Sequence, residues 1–135
     1  MHPTIAHLAD AMNRHDADEM ATFFSPDYRS EQPAHPNRGF GGAEQVRANW
    51  THMFLGVPDM RAECLGSTVD GRTAWTEWRW TGTHTDGTPF AMSGVIVFGL
   101  ADDDRVASAR LYMEPVEQGG AAIDEAVAQL SDPSR

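Results

Sequence analysis

One eleven-residue stretch restricts the fold of this chain more than any other. It reads Thr-Ala-Trp-Thr-Glu-Trp-Arg-Trp-Thr-Gly-Thr from position 73 and contains three of the four tryptophans. In a strand, side chains two positions apart share a face. Tryptophan therefore occurs on both faces, with Trp75, Glu77 and Arg79 on one and with Trp78 and Trp80 on the other. The pattern predicts a strand that is covered on both sides and carries an acid and a base on a covered face.

Composition excludes several classes of function. The 135 residues suffice for one domain, and the formal charge of −10, with no lysine, argues against nucleic-acid and anionic-membrane partners. No apolar run reaches the roughly 18 residues of a membrane span, and the N-terminus lacks the pattern of a signal peptide. A cytoplasmic protein is expected. Cys64 is the only cysteine, so an intrachain disulfide is impossible.

The first half of the chain has helical periodicity. Ile5, Leu8 and Met12 predict a helix over residues 4–14, and Asp16 begins a short second helix that would bury Met20, Phe23 and Phe24. Residues 28–32 alternate like a strand. A Pro/Gly loop spans 33–42, and a third helix follows with an apolar stripe of Val46, Trp50, Met53 and Phe54.

The second half reads as antiparallel strands. Segments 60–69, 73–83, 90–100 and 105–115 are separated by turn sequences, including the hairpin dipeptides Asp70-Gly71 and Asp86-Gly87. Helices followed by a meander predict one α+β domain, with the helices on one face of a curved sheet. This domain would span residues 1–118, and residues 119–135 would form a tail with a short helix.

The other sheet face also needs cover. Strand alternation places Trp78, Trp80 and Tyr112 on it, and in so small a chain a second subunit is the expected cover. The sequence therefore predicts a homodimer through the convex sheet face.

The element order and several strings together resemble the SnoaL-like branch of the nuclear-transport-factor-two-like superfamily, over about residues 4–117. The strings are Asn13-Arg14-His15-Asp16, Phe24-Ser25-Pro26-Asp27-Tyr28, Gly41-Gly42-Ala43-Glu44-Gln45-Val46, Thr81-Gly82-Thr83-His84-Thr85-Asp86-Gly87-Thr88 and the segment from Arg105 to Met113. The resemblance implies a cone-shaped α+β roll of cystatin type, in which a curved, wholly antiparallel sheet and the helices that wrap it enclose an apolar pocket. It further implies a small apolar ligand of polyketide, terpenoid or steroid type and no cofactor.

The resemblance carries over few catalytic residues. Where ketosteroid isomerases have a base, an oxyanion-hole acid and a tyrosine, this chain has Gln32, Ile96 and Leu8, so isomerisation of that kind is not expected. The limonene epoxide hydrolase pattern fits better, because Glu77 and Arg79 match its first two positions in swapped order, although Leu111 stands at the third. This alignment also predicts which strand residues face inward: Trp75, Glu77, Arg79, Met92, Gly94, Ile96, Phe98, Ala109, Leu111 and Met113.

Two interpretations of Glu77 and Arg79 follow. As a catalytic pair, Glu77 would accept a proton and Arg79 would stabilise an oxyanion. Alternatively, they form a structural ion pair that never meets a ligand. The catalytic interpretation predicts a cofactor-free cyclase, isomerase, dehydratase or hydrolase. The alternative functions are non-catalytic ligand binding and dimerisation.

The remaining candidates would form the pocket. Tyr28 and Gln32 could hydrogen-bond a ligand at its mouth, and His35 could act as an acid or base near neutral pH. The expected ligand-binding residues are Tyr28, Gln32, His35, Trp50, Phe54, Trp75, Met92, Leu111 and Met113. No His, Cys, Asp or Glu cluster has a metal-ligand spacing, so no metal is expected.

Overall fold

Helices precede the main strands along the chain, as the residue pattern predicts. The computed structural model describes residues 1–132 and 134. The helices are α1 (Pro3–Asn13), α2 (Ala17–Thr22), α3 (Ala43–Gly56) and α4 (Ile123–Ser131). The strands are β1 (Phe24–Glu31), β2 (Phe40–Gly41), β3 (Arg61–Asp70), β4 (Thr73–Thr83), β5 (Pro89–Leu100) and β6 (Val106–Pro115). A 3₁₀ turn, Pro36–Arg38, lies in the loop after β1.

The strands form one sheet in the order β2-β1-β6-β5-β4-β3. The meander β3 to β6 is antiparallel, but β1 pairs with β6 in parallel. The α+β class is confirmed, and the expectation of a wholly antiparallel sheet is wrong at this one pair. The reason is topological: the chain leaves β1, crosses through α3 and the meander, and returns in the same direction, as parallel neighbours require.

The transition from α2 to β1 also differs from the prediction. Asp16 caps α2 as expected, because its carboxylate accepts the backbone N–H of Glu19 at 3.0 Å. The helix ends at Thr22, however, and Phe24 begins β1. Pairing of Phe24 with Val106 of β6 gives these backbone groups long-range partners, which outweighs the local helical pattern.

The core lies between the helices and the concave face of the sheet. Ile5, Leu8, Ala11 and Met12 form the buried stripe of α1 that their spacing predicts. They pack in a single cluster with buried residues of β1 and β4 to β6. Within the described residues, no helix has the length and apolarity needed to cross a membrane.

The orientation of β4 corrects the sequence analysis. Trp78 and Trp80 are 1% and 5% exposed and face the core, whereas Trp75 is 45% exposed on the convex face. Trp78 pairs with Gly94 and Trp80 with Met92, so these four residues share the concave side. The prediction that Trp75, Glu77 and Arg79 face inward is therefore wrong.

The cause is that the family alignment placed the residues of β4 one position away from their observed place in the strand. Because side chains alternate, a shift of one position moves every side chain to the opposite face. The alignment turned the face of β4 that carries Glu77 and Arg79 toward the core. In the structure both side chains are exposed, so the free-energy cost of burying two charges is avoided. Trp78 and Trp80 consequently do not belong to the predicted dimer surface, while Tyr112 is 44% exposed on the convex side.

Candidate ligand-binding cavity

A cavity of about 220 Å³ lies between the helices and the concave sheet face. Its wall is predominantly apolar and includes several aromatic rings. The residues that line it are Leu8, Met12, Met20, Phe24, Tyr28, Ser30, Gln32, Phe40, Val46, Asn49, Trp50, Met53, Trp78, Trp80, Met92, Ile96, Phe98, Ala109 and Leu111. The region that the family resemblance implies as a pocket is thus an open space and not closed core.

Two elements supply the polar groups of the wall. On β1 and its extension, alternation places Tyr28, Ser30 and Gln32 on the same side. On α3, Asn49 lies beside Trp50 on the face that turns toward the sheet. Strand and helix periodicity therefore converge on one space, which each element lines from a different direction.

The wall carries no formal charge. Among the described residues that line the cavity, none is Asp, Glu, Arg or His. Tyr28 contributes a phenol, whose hydroxyl group can ionise at high pH. Burial raises the pKa of Tyr28 to about 12, although its hydrogen bond with Ser30 acts in the opposite direction. Tyr28 is consequently a neutral hydrogen-bonding group at physiological pH.

Several polar groups at the cavity are already engaged. Arg38 donates from Nη1 to Gln32 Oε1 at 3.1 Å. Gln45 donates from Nε2 to Asn49 Oδ1 at 2.7 Å. The bond from Arg38 fixes the orientation of the Gln32 amide, because a guanidinium can only donate.

The indoles of β4 differ from one another. Trp78 donates from Nε1 to Thr76 Oγ1 at 2.7 Å, and Thr76 donates in turn to the carbonyl of Ile96. Trp80 Nε1 is also buried but has no hydrogen-bond partner. Among the described residues, it is the only buried side-chain nitrogen or oxygen of which this is true. Trp78 is thus satisfied within the protein, and Trp80 is not.

Aromatic pairs give the wall its shape. Trp50 of α3 meets Trp80 edge to face, with ring centroids 5.2 Å apart and planes at 78°. Tyr28 makes similar edge contacts with Phe24 at 4.7 Å and with Phe40 at 6.0 Å. Such geometry is the favourable one for aromatic rings, so these side chains hold one another in place.

The structure brings five of the predicted ligand-binding residues to the cavity: Tyr28, Gln32, Trp50, Met92 and Leu111. Phe54 is half-buried behind the wall and stacks on His15 at 4.5 Å. Met113 is buried in the core but does not line the space.

The other predicted site residues lie elsewhere. Trp75 and Glu77 border a broad, open depression on the convex face, together with Gly66 and Val95. Arg79 lies 3.6 Å from Glu63 in an exposed ion pair rather than beside Glu77. A catalytic pair of Glu77 and Arg79 inside the cone is therefore not supported by their positions.

His35 is also separate from the cavity. It lies in the loop after β1, where its Nε2 is 2.7 Å from Glu114 Oε1 on the outward side of β6. This contact explains how the loop is attached to the sheet. Of the described residues, no three His, Cys, Asp or Glu side chains converge in a way that could hold a metal ion.

Sequence reasoning missed several wall residues, above all Trp78, Trp80 and Asn49. The strand itself contained the signal for the tryptophans, because the face of β4 that holds Trp78 and Trp80 carries no charge while the other holds Glu77 and Arg79. Asn49 follows Val46 by three positions and so lies on the predicted apolar face of α3.

Comparison with known proteins gives the same fold. A family model described as a SnoaL-like domain matches residues 5–109. A candidate SnoaL-like polyketide cyclase from Jannaschia sp. CCS1 is similar at 25% identity and a TM-score of 0.70, over 82% of this chain and 83% of that one. No curated protein matches.

Two further solved structures are similar in fold. A protein with a ketosteroid isomerase-like fold from Catenulispora acidiphila DSM 44928, in complex with trimethylamine, has 15% identity and a TM-score of 0.72, with 82% and 84% of the two chains covered. SalBIII, an epoxide hydrolase/cyclase-like enzyme with a role in pyran ring formation in salinomycin, has 17% identity and a TM-score of 0.72, with 82% and 88% covered.

Proposed function

Because the chain belongs to the SnoaL-like domain family, whose members carry varied chemistry on one fold, we propose from its cavity that it binds a small, neutral, mostly apolar molecule. The observation that carries the proposal is a wall without a charged side chain among the described residues that line it. Apolar binding sites with few polar groups are the usual form of small-molecule sites.

The wall argues for a neutral ligand on energetic grounds. A buried ion without a partner of opposite charge costs several kcal/mol, and no partner is present in the wall. The volume of about 220 Å³ lies below the roughly 300 Å³ at which sites for drug-sized ligands begin. A compact monocyclic molecule fits this volume better than a steroid. Of the ligand types that the family resemblance implies, the smallest molecules are therefore the ones proposed.

The same wall favours binding over acid–base catalysis. General-base catalysis needs a group whose pKa lies near the working pH and that reaches the substrate. Tyr28, with its pKa raised to about 12, donates a hydrogen bond at neutral pH but does not abstract protons. The non-catalytic ligand-binding alternative is therefore the one that the geometry supports best.

A titration with neutral and charged probes tests the proposal. Ethylbenzene, added to ¹⁵N-labelled protein, should shift the amide resonances of wall residues, while the similarly sized 1-phenylethylammonium and benzoate ions should not. Met92→Trp, which fills the cavity from a half-buried position, should abolish the shifts. Val116→Trp, at an exposed site outside the cavity, is the matched control.

Two outcomes would contradict the proposal. One is that ethylbenzene produces no saturable shifts in wild-type protein that is folded by its melting curve. The other is that either ion binds as tightly as ethylbenzene, because the lining residues themselves offer an ion no partner of opposite charge.

A further inference from the structure

The C-terminal helix α4 presents an apolar stripe to solvent. Ile123, Val127 and Leu130 follow one another at spacings of four and three, so they share one side of the helix. Ile123 is 74% exposed and Leu130 is 88% exposed. A nine-residue helix is marginal in water on its own, and Ala122 at the N-cap position offers it no capping side chain. The helix therefore needs a surface to pack against.

The convex face of the sheet has an apolar diagonal of matching length. Trp75 of β4 pairs with Val97 of β5. Two positions along β5, on the same face, Val95 pairs with Tyr112 of β6. Strand spacing and rise make the diagonal from Trp75 to Tyr112 about 12 Å long, and the seven residue steps of the α4 stripe cover about 10 Å. An open depression of about 390 Å³ borders Trp75 and can receive a protruding side chain.

The charges of the two surfaces are complementary. Asp124 and Glu125 lie in the first turn of α4, and residues 111–132 contain no lysine, arginine or histidine. On the convex face, Arg29 and Arg110 are exposed, and within residues 1–132 and 134 neither guanidinium forms an ion pair, although Glu31 lies opposite Arg110 on the neighbouring strand. An acidic helix on this face can therefore bring carboxylates to arginines that lack them.

The position of α4 in the single chain favours a second copy as the partner. Residues 116–122 join β6 to α4 and can span about 23 Å, which is enough for the helix to reach its own convex face. The single chain nevertheless leaves both the stripe and the ends of the diagonal exposed. Between two copies, a twofold arrangement uses each surface twice and doubles the area that is buried.

We infer that α4 of one copy docks across the convex face of a second copy, with the stripe of Ile123, Val127 and Leu130 on the diagonal from Trp75 to Tyr112. The exchange is reciprocal, so each copy supplies one helix and one face. This inference does not depend on the ligand, because the cavity lies on the opposite face of the sheet.

Two neighbouring substitutions on α4 test the docking. Val127→Asp places a charge in the stripe, whereas Ala128→Asp places the same charge on the other side of the helix, and both positions are exposed. Sedimentation velocity over a range of concentrations gives the dissociation constant of the dimer. Val127→Asp should raise this constant about thirtyfold, as the loss of a central interface side chain does. Ala128→Asp should change it by less than about threefold.

A mixture of two defective variants tests the exchange itself. Val127→Asp disrupts the helix of each copy and Trp75→Asp disrupts the face, so either variant alone has no intact contact. In a mixed dimer, the intact helix of the Trp75→Asp chain lies on the intact face of the Val127→Asp chain. Because one contact of two is retained, the mixed dimer should bind about fivefold tighter than either variant binds itself.

Four results, each obtained with variants that circular dichroism shows to be folded, would overturn the inference. The first is a wild-type chain that stays monomeric at the highest concentration. The second is an equal effect of Val127→Asp and Ala128→Asp while Trp75→Asp dissociates the dimer, which means that the sheets pack directly. The third is a lower melting temperature for Val127→Asp and Trp75→Asp without a change in association, which means that α4 packs on its own chain. The fourth is a mixture that associates no more tightly than its separate components.

Discussion

The two faces of β4 carry similar numbers of large side chains but behave in opposite ways. On the concave face, Trp78 and Trp80 are almost fully buried, and Trp78 is hydrogen-bonded to Thr76. On the convex face, Trp75 is nearly half exposed, and Arg79 forms an exposed ion pair with Glu63. Because tryptophan occurs on both faces of β4 and charged side chains on the convex face alone, the charges and not the tryptophans identify the outer face of this strand.

The largest expected effect is on stability. Trp78→Ala should lower the free energy of unfolding by about 3–5 kcal/mol, because it leaves a cavity in the core and removes the partner of Thr76. Trp75→Ala should cost less than about 1 kcal/mol, since its side chain is 45% exposed. Urea denaturation of both variants measures the difference. Equal losses would contradict the assignment of the two faces.

The two tyrosines extend the comparison to pH. Because burial raises the pKa of Tyr28 from 10 to about 12, the unfolded chain loses this proton first as pH rises. The raised pKa of Tyr28 corresponds to about 2–3 kcal/mol of the free energy of unfolding. This stabilisation is fully present below pH 10 and is lost as the pH rises toward 12. The difference in unfolding free energy between wild type and Tyr28→Phe should therefore shrink over this range. The difference between wild type and Tyr112→Phe provides the comparison, and an identical pH dependence for both would contradict the prediction.

We propose the convex face as the surface through which a second copy of the chain binds. Trp75 and Tyr112 are both exposed on it, and the homodimer predicted from the sequence would now rest on them instead of on Trp78 and Trp80. We expect Trp75→Asp to weaken self-association by about 2 kcal/mol, because aromatic residues dominate such interfaces. Sedimentation velocity over a range of concentrations measures this. Thr85→Asp, in the exposed turn before β5, is a control for the added charge. A wild-type protein that remains monomeric at high concentration would remove the dimer proposal.

The smallest effects are expected at the charged pair. Glu77→Gln and Arg79→Met should change the affinity for ethylbenzene by less than about twofold and the stability by less than about 0.5 kcal/mol, because both side chains are exposed outside the cavity. Titration and denaturation of each variant give these values. A loss of binding similar to that of Met92→Trp would restore the earlier interpretation of Glu77 and Arg79 as site residues.

Much of the fold was predictable because it depends on local pattern. The stripe of α1 and the turns at Asp70-Gly71 and Asp86-Gly87 fix helices and hairpins with short-range information. The same holds for Tyr28 on β1 and for Gln32 directly after it, because alternation along this segment brings both to the cavity. Phe24 was misassigned because its pairing with Val106, distant in the chain, outweighs a local helical preference.

The candidate site was predictable only in part. The resemblance to a family located the cavity, but its alignment was one residue out of register at β4, so Glu77 and Arg79 replaced Trp78 and Trp80 in the predicted site. A comparison of charge on the two faces would have reversed that choice. The orientation of the Gln32 amide could not be foreseen, because it depends on Arg38 donating to the amide oxygen.

The sequence alone determined the α+β class, the hairpin connections and the absence of a strongly basic surface, since these follow from periodicity, turn chemistry and charge. Only the tertiary structure decided which face of β4 is buried, that β1 lies parallel to β6, and that the buried Trp80 Nε1 has no hydrogen-bond partner among residues 1–132 and 134. The physical reason is that strand register and hydrogen-bond satisfaction depend on which distant groups come into contact. A local pattern restricts those contacts but does not select among them.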